Sequence, residues 1–129
     1  MAFVRGMLHG EGLAVAVIAA WVFVAEQDWS WMLLASLFLA PDVSLAGFLL
    51  GKRLGAVVYD LAHNYVLAGA FLLAGLWASS DLLLGAGLVL ATHVGVDRLM
   101  GYGLKIPGEE FKHTHLQALG ALRQRAATG

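Results

Sequence analysis

Four apolar stretches take up most of this 129-residue chain. The first runs from about Met7 to Ala25 and ends at Glu26-Gln27-Asp28. The second runs from Trp29 to Leu50 and stops at Gly51-Lys52-Arg53. The third covers Leu54 to Trp77, followed by Ser79-Ser80-Asp81. The fourth starts at Leu82 and fades through Gly101-Tyr102-Gly103 to about Leu104. Each approaches the ~20 residues that a helix needs to cross a ~30 Å hydrocarbon core. None alternates with the period of a barrel strand, so the stretches are predicted to be helices.

Composition agrees with a lipid solvent. The chain is 60% hydrophobic and 13% charged, whereas soluble domains carry roughly a quarter charged residues. A formal charge of −1 argues against a polybasic nucleic-acid binder. Without cysteine there is no thiolate metal site, so any metal would rest on nitrogen and oxygen ligands.

The positive charges set an orientation. Arg5 precedes the first stretch, Lys52 and Arg53 separate the second from the third, and Arg98, Lys105, Lys112, Arg123 and Arg125 close the fourth or follow it. The opposite connections carry only Glu26, Asp28 and Asp81. The positive-inside rule then puts both termini in the cytoplasm, with Trp29, Trp31 and Trp77 as an aromatic belt on the other face. The expected fold is all-α, a polytopic four-helix transmembrane bundle over residues 1–105. Residues 106–129 form a cytoplasmic tail in which Leu116, Leu119 and Leu122 have the spacing of a short amphipathic helix. Glu11 interrupts the first stretch and no small-residue cleavage site precedes Glu26, so that stretch is read as a retained span. Gly47, Gly51 and Gly55 have G-x-x-x-G spacing but run across the Lys52-Arg53 turn, which weakens a dimerisation reading.

Ionisable residues inside these apolar stretches are expensive and mark working sites. Counted from the Trp face, Ala25 to Glu11 is fourteen residues, Trp29 to Asp42 thirteen, Trp77 to His63 fourteen and Leu82 to Asp97 fifteen. At 1.5 Å per residue all four groups lie roughly 20–23 Å below that face. Asp60 lies about a turn deeper than His63, and His93 a turn shallower than Asp97 on the same helix face. Carboxylate-bundle metal sites take single carboxylates from two helices and a carboxylate/His pair from each of two others. Here Glu11 and Asp42 would be the singles, with Asp60-x-x-His63 and His93-x-x-x-Asp97 as the pairs. One metal held by fewer ligands fits the spacing equally. Such a donor set suits Zn, Mn or Fe.

Plainer uses exist for each residue. Glu11 could face headgroups, and Asp42 after Pro41 could cap a kinked segment. Asp60 could pair with Arg53 or Arg98. Tyr59 and Asn64 could be interhelical hydrogen-bonding groups, and His93 with Asp97 a salt bridge. His9 is expected in the interface.

Several strings carry a resemblance: the early Glu11, Pro41-Asp42, the segment Tyr59-Asp60-Leu61-Ala62-His63, the run from His93 through Val94-Gly95-Val96-Asp97-Arg98-Leu99-Met100-Gly101-Tyr102-Gly103-Leu104 to Lys105, and Phe111 with Thr114-His115-Leu116. Over nearly the whole chain it resembles a family of small bacterial integral membrane proteins known only as a domain of unknown function. That resemblance implies four spans and no activity. The chain departs from the family's pattern at Asp60, where Asn is usual, and at His113, where Asp is usual. A fainter similarity is to membrane-bound metal-dependent hydrolases, which share a Pro-Asp element and a late H-x-x-x-D. Their His-Arg and Thr-His-Ser elements are missing here.

Three functions compete. The first is a bacterial inner-membrane metalloprotein, a hydrolase acting on a lipid-like substrate from the cytoplasmic leaflet. Asp42, His63, His93 and Asp97 would hold a divalent metal, and Glu11 or Asp60 would serve as general base. Arg98, Tyr102, Lys105 and His115 would meet an anionic headgroup or substrate. The second is a proton or cation relay working as a homo-oligomer. The third is a structural polar network.

Overall fold

The computed structural model describes residues 2–107 together with Thr114 and His115. Among the described residues there are five α-helices: α1 (Ala2–Trp21), α2 (Trp31–Leu37), α3 (Lys52–Ala62), α4 (Tyr65–Ala78) and α5 (Asp81–Met100). A π-helical turn, Val22–Glu26, extends α1, and a 3₁₀ segment, Ala40–Leu50, extends α2. No strand occurs among the described residues; Lys105 and Thr114 form an isolated bridge. The expected tail helix through Leu116, Leu119 and Leu122 lies outside the described residues, as do Lys112 and His113.

Three helical stretches, Ala2–Glu26, Trp31–Leu50 and Asp81–Met100, are long and apolar enough to cross a membrane. The pair α3 and α4, bent by 41°, adds a fourth when it is counted as one broken span, and is otherwise a re-entrant loop. Large apolar side chains stand outward along them, with Leu49 89%, Val66 82% and Met32 81% exposed. Water would penalise such a surface and lipid does not, so these apolar helices suggest a membrane protein. The Trp belt is only partly as expected. Trp31 and Trp77 face outward, but Trp29 turns in against Phe23, with ring centroids 4.8 Å apart. It fits because Gly85 leaves the space: a Cβ there would run into the indole ring.

Helix α5 is the centre of the bundle, buried continuously from Gly87 to Gly95 and packed chiefly against α1 and α4. Lipid tails are as apolar as leucine, so association in a membrane relies on close backbone approach at small residues. Helices α1 and α5 do this at Gly12, Ala16 and Gly95. A Cβ on Gly95 would sit 2.7 Å from both the Ala16 nitrogen and the Gly12 oxygen. His9 closes the same seam, donating from Nδ1 to the Leu99 carbonyl at 2.6 Å. The Gly47/Gly55 spacing packs the 3₁₀ segment against α3 within one chain, since a Cβ at Gly55 would meet Phe48.

The second and third apolar stretches are not the continuous helices expected. Pro41 has no N–H, so it cannot continue the ladder. Asp42 N–H instead bonds the Leu39 carbonyl at 3.1 Å, and the chain tightens into the 3₁₀ segment. The third stretch breaks at His63-Asn64. Asn64 lies in extended backbone and accepts from Leu67 N–H through its side-chain oxygen at 2.8 Å, capping α4. Its amide nitrogen donates to the Asp60 and Leu61 carbonyls at 2.7 and 2.9 Å, closing α3. One side chain thus satisfies backbone groups on both sides of the break. Asn64→Ala should lower stability by about 1–2 kcal/mol, the size of a lost cap. Asn64→Asp, which keeps the α4 cap, should lose less. Unfolding midpoints of the two variants in detergent would check that order.

Candidate metal centre

The two breaks meet beside α5, and the polar side chains gather there. His63 leaves the end of α3, Asp42 the start of the 3₁₀ segment, and His93 the buried face of α5. His63 Nε2 lies 3.1 Å from His93 Nε2 and 3.2 Å from Asp42 Oδ1. His93 Nε2 lies 3.4 Å from the same oxygen. Both imidazoles are sealed, at 1% and 2% exposure, while the Asp42 and Asp97 side chains retain 36% and 18%. Approach to the cluster is therefore past the carboxylates.

The tautomers follow from the other ring nitrogens. His93 Nδ1 lies 2.6 Å from the Phe38 carbonyl, and His63 Nδ1 lies 3.0 Å from the Tyr59 carbonyl. A carbonyl only accepts, so both Nδ1 atoms carry the proton, and in the neutral imidazoles both Nε2 atoms point lone pairs into the cluster. Ser44 Oγ lies 3.4 Å from His63 Nδ1 and supports the same ring. In that form two acceptors and a carboxylate oxygen at these distances repel one another unless a metal cation or a shared proton lies between them. An Nδ1–H held by a carbonyl with Nε2 free is also how ligating histidines are oriented.

The Phe38 carbonyl is free for this task because of Pro41. Three residues on, Pro41 has no N–H to offer, and Asp42, four residues on, donates to Leu39 instead. The Pro-Asp pair therefore supplies one candidate ligand and fixes a second. Pro41→Ala should return that carbonyl to the helix ladder and weaken metal binding about 10–100-fold, the range for outer-shell partners. A chelator-competition titration would check it, with circular dichroism confirming that the variant stays folded.

Asp97 lies at the edge. Its Oδ2 is 3.5 Å from His93 Nε2 and accepts from Tyr59 Oη at 3.3 Å. Tyr59 in turn stacks on His63, ring centroids 3.7 Å apart and planes at 10°, and carries the Lys105 ammonium over its ring at 4.7 Å. Of the four residues read from sequence as ligands, Asp42, His63 and His93 come together in space, and Asp97 stands beside His93 outside that group. Among the described residues, the ligand atoms that lie within 4.8 Å of one another are those of Asp42, His63 and His93, three of the six proposed for a di-metal site.

Other candidates lie elsewhere. Glu11 is exposed on α1 and does not join the group; a helix face with Gly12 turned onto α5 necessarily turns its neighbour away. Asp60 is engaged by the Lys105 N–H at 2.6 Å rather than by Arg53 or Arg98. Lys105, expected at headgroups, is buried to 8% over Tyr59. Arg98 donates to the Tyr102 carbonyl at 2.9 Å and to the His63 carbonyl at 3.5 Å, tying α5 to the break. His115 exchanges bonds with Leu104: its N–H donates to Leu104 O at 3.0 Å, and Leu104 N–H donates to its Nδ1 at 2.8 Å. Tyr102 stays 40% exposed. The contribution that sequence reasoning missed is the Phe38 carbonyl, whose signal was a proline three residues downstream.

The family described as a domain of unknown function (DUF4260) matches residues 5–119. No curated protein and no solved structure matches the chain.

Proposed function

We propose, starting from the fact that this chain belongs to the DUF4260 family and takes no reaction from that membership, that it is a membrane-embedded metalloprotein. Asp42, His63 and His93 hold one divalent ion of the Zn, Mn or Fe type. One observation carries the reading. The three donor atoms are 3.1, 3.2 and 3.4 Å apart, and a tetrahedron built on ~2.0–2.1 Å metal–ligand bonds has edges of about 3.3–3.4 Å. They form one face of such a tetrahedron, and three protein ligands with a fourth position open is the arrangement of catalytic zinc.

The chemistry that suits it is hydrolysis of a lipid-like substrate from the cytoplasmic leaflet of a bacterial inner membrane. The ion supplies Lewis acidity and makes water more acidic. Asp97, steadied by the Tyr59 hydroxyl, stands beside His93 where it can take a proton from water as the oxygen adds to the substrate. The same proton then leaves with the departing alcohol or amine as its bond to the substrate breaks. In this reading Asp97 replaces Glu11 and Asp60 as the general base. Arg98 holds the break in place through the His63 carbonyl.

A second reading has one observation in its favour: nitrogens 3.1 Å apart could also share a single proton, as in an intramembrane relay. Elemental analysis of detergent-purified protein separates the two. Near-stoichiometric Zn, Mn or Fe supports the metalloprotein. Metal-free protein that gives pH-dependent ion flux in liposomes supports the relay.

A further inference from the structure

We infer that the apolar cavity beside the cluster holds a single hydrocarbon chain of the substrate, with the polar, cleavable end at Asp42, His63 and His93. This rests on the metalloprotein reading and specifies its substrate class. The cavity measures about 570 Å³, within the range of small-molecule sites. Its near end is formed by Pro41, Ala62 and Leu90. Pro41 and Ala62 adjoin the ligands Asp42 and His63 in sequence, and Leu90 lies about one turn of α5 from His93. Its far end is formed by Trp29 and Leu82. From Leu82 to Leu90 is eight residues, so the cavity follows α5 for about 12 Å.

No charged side chain lines it. A sugar or nucleotide placed there would lose its hydration with nothing to replace it, at a cost of several kcal/mol. A hydrocarbon chain loses nothing. The two chain breaks that deliver Asp42 and His63 also open this space, so cavity and ligands are products of the same irregular backbone. At membrane depth such backbone is tolerated where it is buried or lines a cavity. A second apolar cavity of about 440 Å³ on the α1 side, lined by Val15 and Leu76 among others, has no wall residue adjoining a ligand in sequence. It serves as the control.

The test uses alkyl hydroxamates, whose head chelates metal, on zinc-loaded protein in lipid nanodiscs. Acetohydroxamate, octanohydroxamate and dodecanohydroxamate are compared after correction for partition into empty nanodiscs. The longest should bind at least about tenfold tighter than the shortest, each buried methylene adding to affinity. Ala86→Trp and Leu37→Trp, which fill the cavity by two different walls, should each remove most of that gain while acetohydroxamate binding and zinc content stay unchanged. Leu76→Trp should leave the gain intact. Zinc bound with no gain from chain length, or a gain that both fillings leave untouched, overturns the chain site and spares the metal centre. Failure to take up zinc at all overturns the metal centre and the chain site together.

Discussion

His93→Ala is expected to strip the protein of its metal. His93 Nε2 is the donor common to the close contacts with His63, Asp42 and Asp97, at 3.1, 3.4 and 3.5 Å, and the ring is 2% exposed. Outer-shell partners of a metal ligand are worth about 10–100-fold in affinity, so a ligand itself should cost more than 100-fold. The protein should still fold: the lost bond to the Phe38 carbonyl is worth about 1 kcal/mol. His63→Ala should behave alike, whereas Asp97→Asn should keep the metal and lose turnover. The measurement is metal per chain by elemental analysis, with circular dichroism as the check on folding. Full metal content in His93→Ala would falsify the proposed ligand set. Metal-free wild-type protein whose variants lose only thermal stability would point to a structural network.

The second large effect concerns the bundle itself. Gly95→Leu should destabilise the protein by about 3 kcal/mol or more, beyond ordinary overpacking, because what it strikes is backbone. Its Cβ would press on the Ala16 nitrogen and Gly12 oxygen at 2.7 Å. A flexible side chain could swing aside; two helix backbones can only part, opening the α1–α5 seam. The same replacement at Gly10, where nothing lies within 4 Å, supplies the comparison and should change stability little. Thermal unfolding in one detergent ranks them. Equal midpoints for Gly95→Leu and Gly10→Leu would show that α1 and α5 do not touch as described.

Much of the site was legible because lipid makes polar groups conspicuous. Asp42, His63, His93 and Asp97 stood out against apolar neighbours, and rise per residue put them at one depth. That arithmetic could not say which way each helix was turned. Glu11 shared the depth, yet Gly12 packs onto α5 and leaves Glu11 exposed. Asp60 shared a helix with His63 but is engaged by the Lys105 N–H. The breaks were half visible: Pro41 announced a kink, while Asn64 looked like an ordinary polar residue in an apolar run. Its effect depends on capping two helices at once.

Hydrophobic length and the scarcity of charge were enough to indicate apolar helices long enough to span a membrane and to nominate the polar residues among them. Both are properties of single segments and need no knowledge of neighbours. Which donors converge is a property of helix rotation and of two interrupted backbones packed against α5. Those depend on contacts between residues far apart in the chain: Gly12 with Gly95, Trp29 with Gly85, and the Phe38 carbonyl with His93. Only the folded bundle could decide that three donors, rather than six, would meet at the spacing of one metal ion.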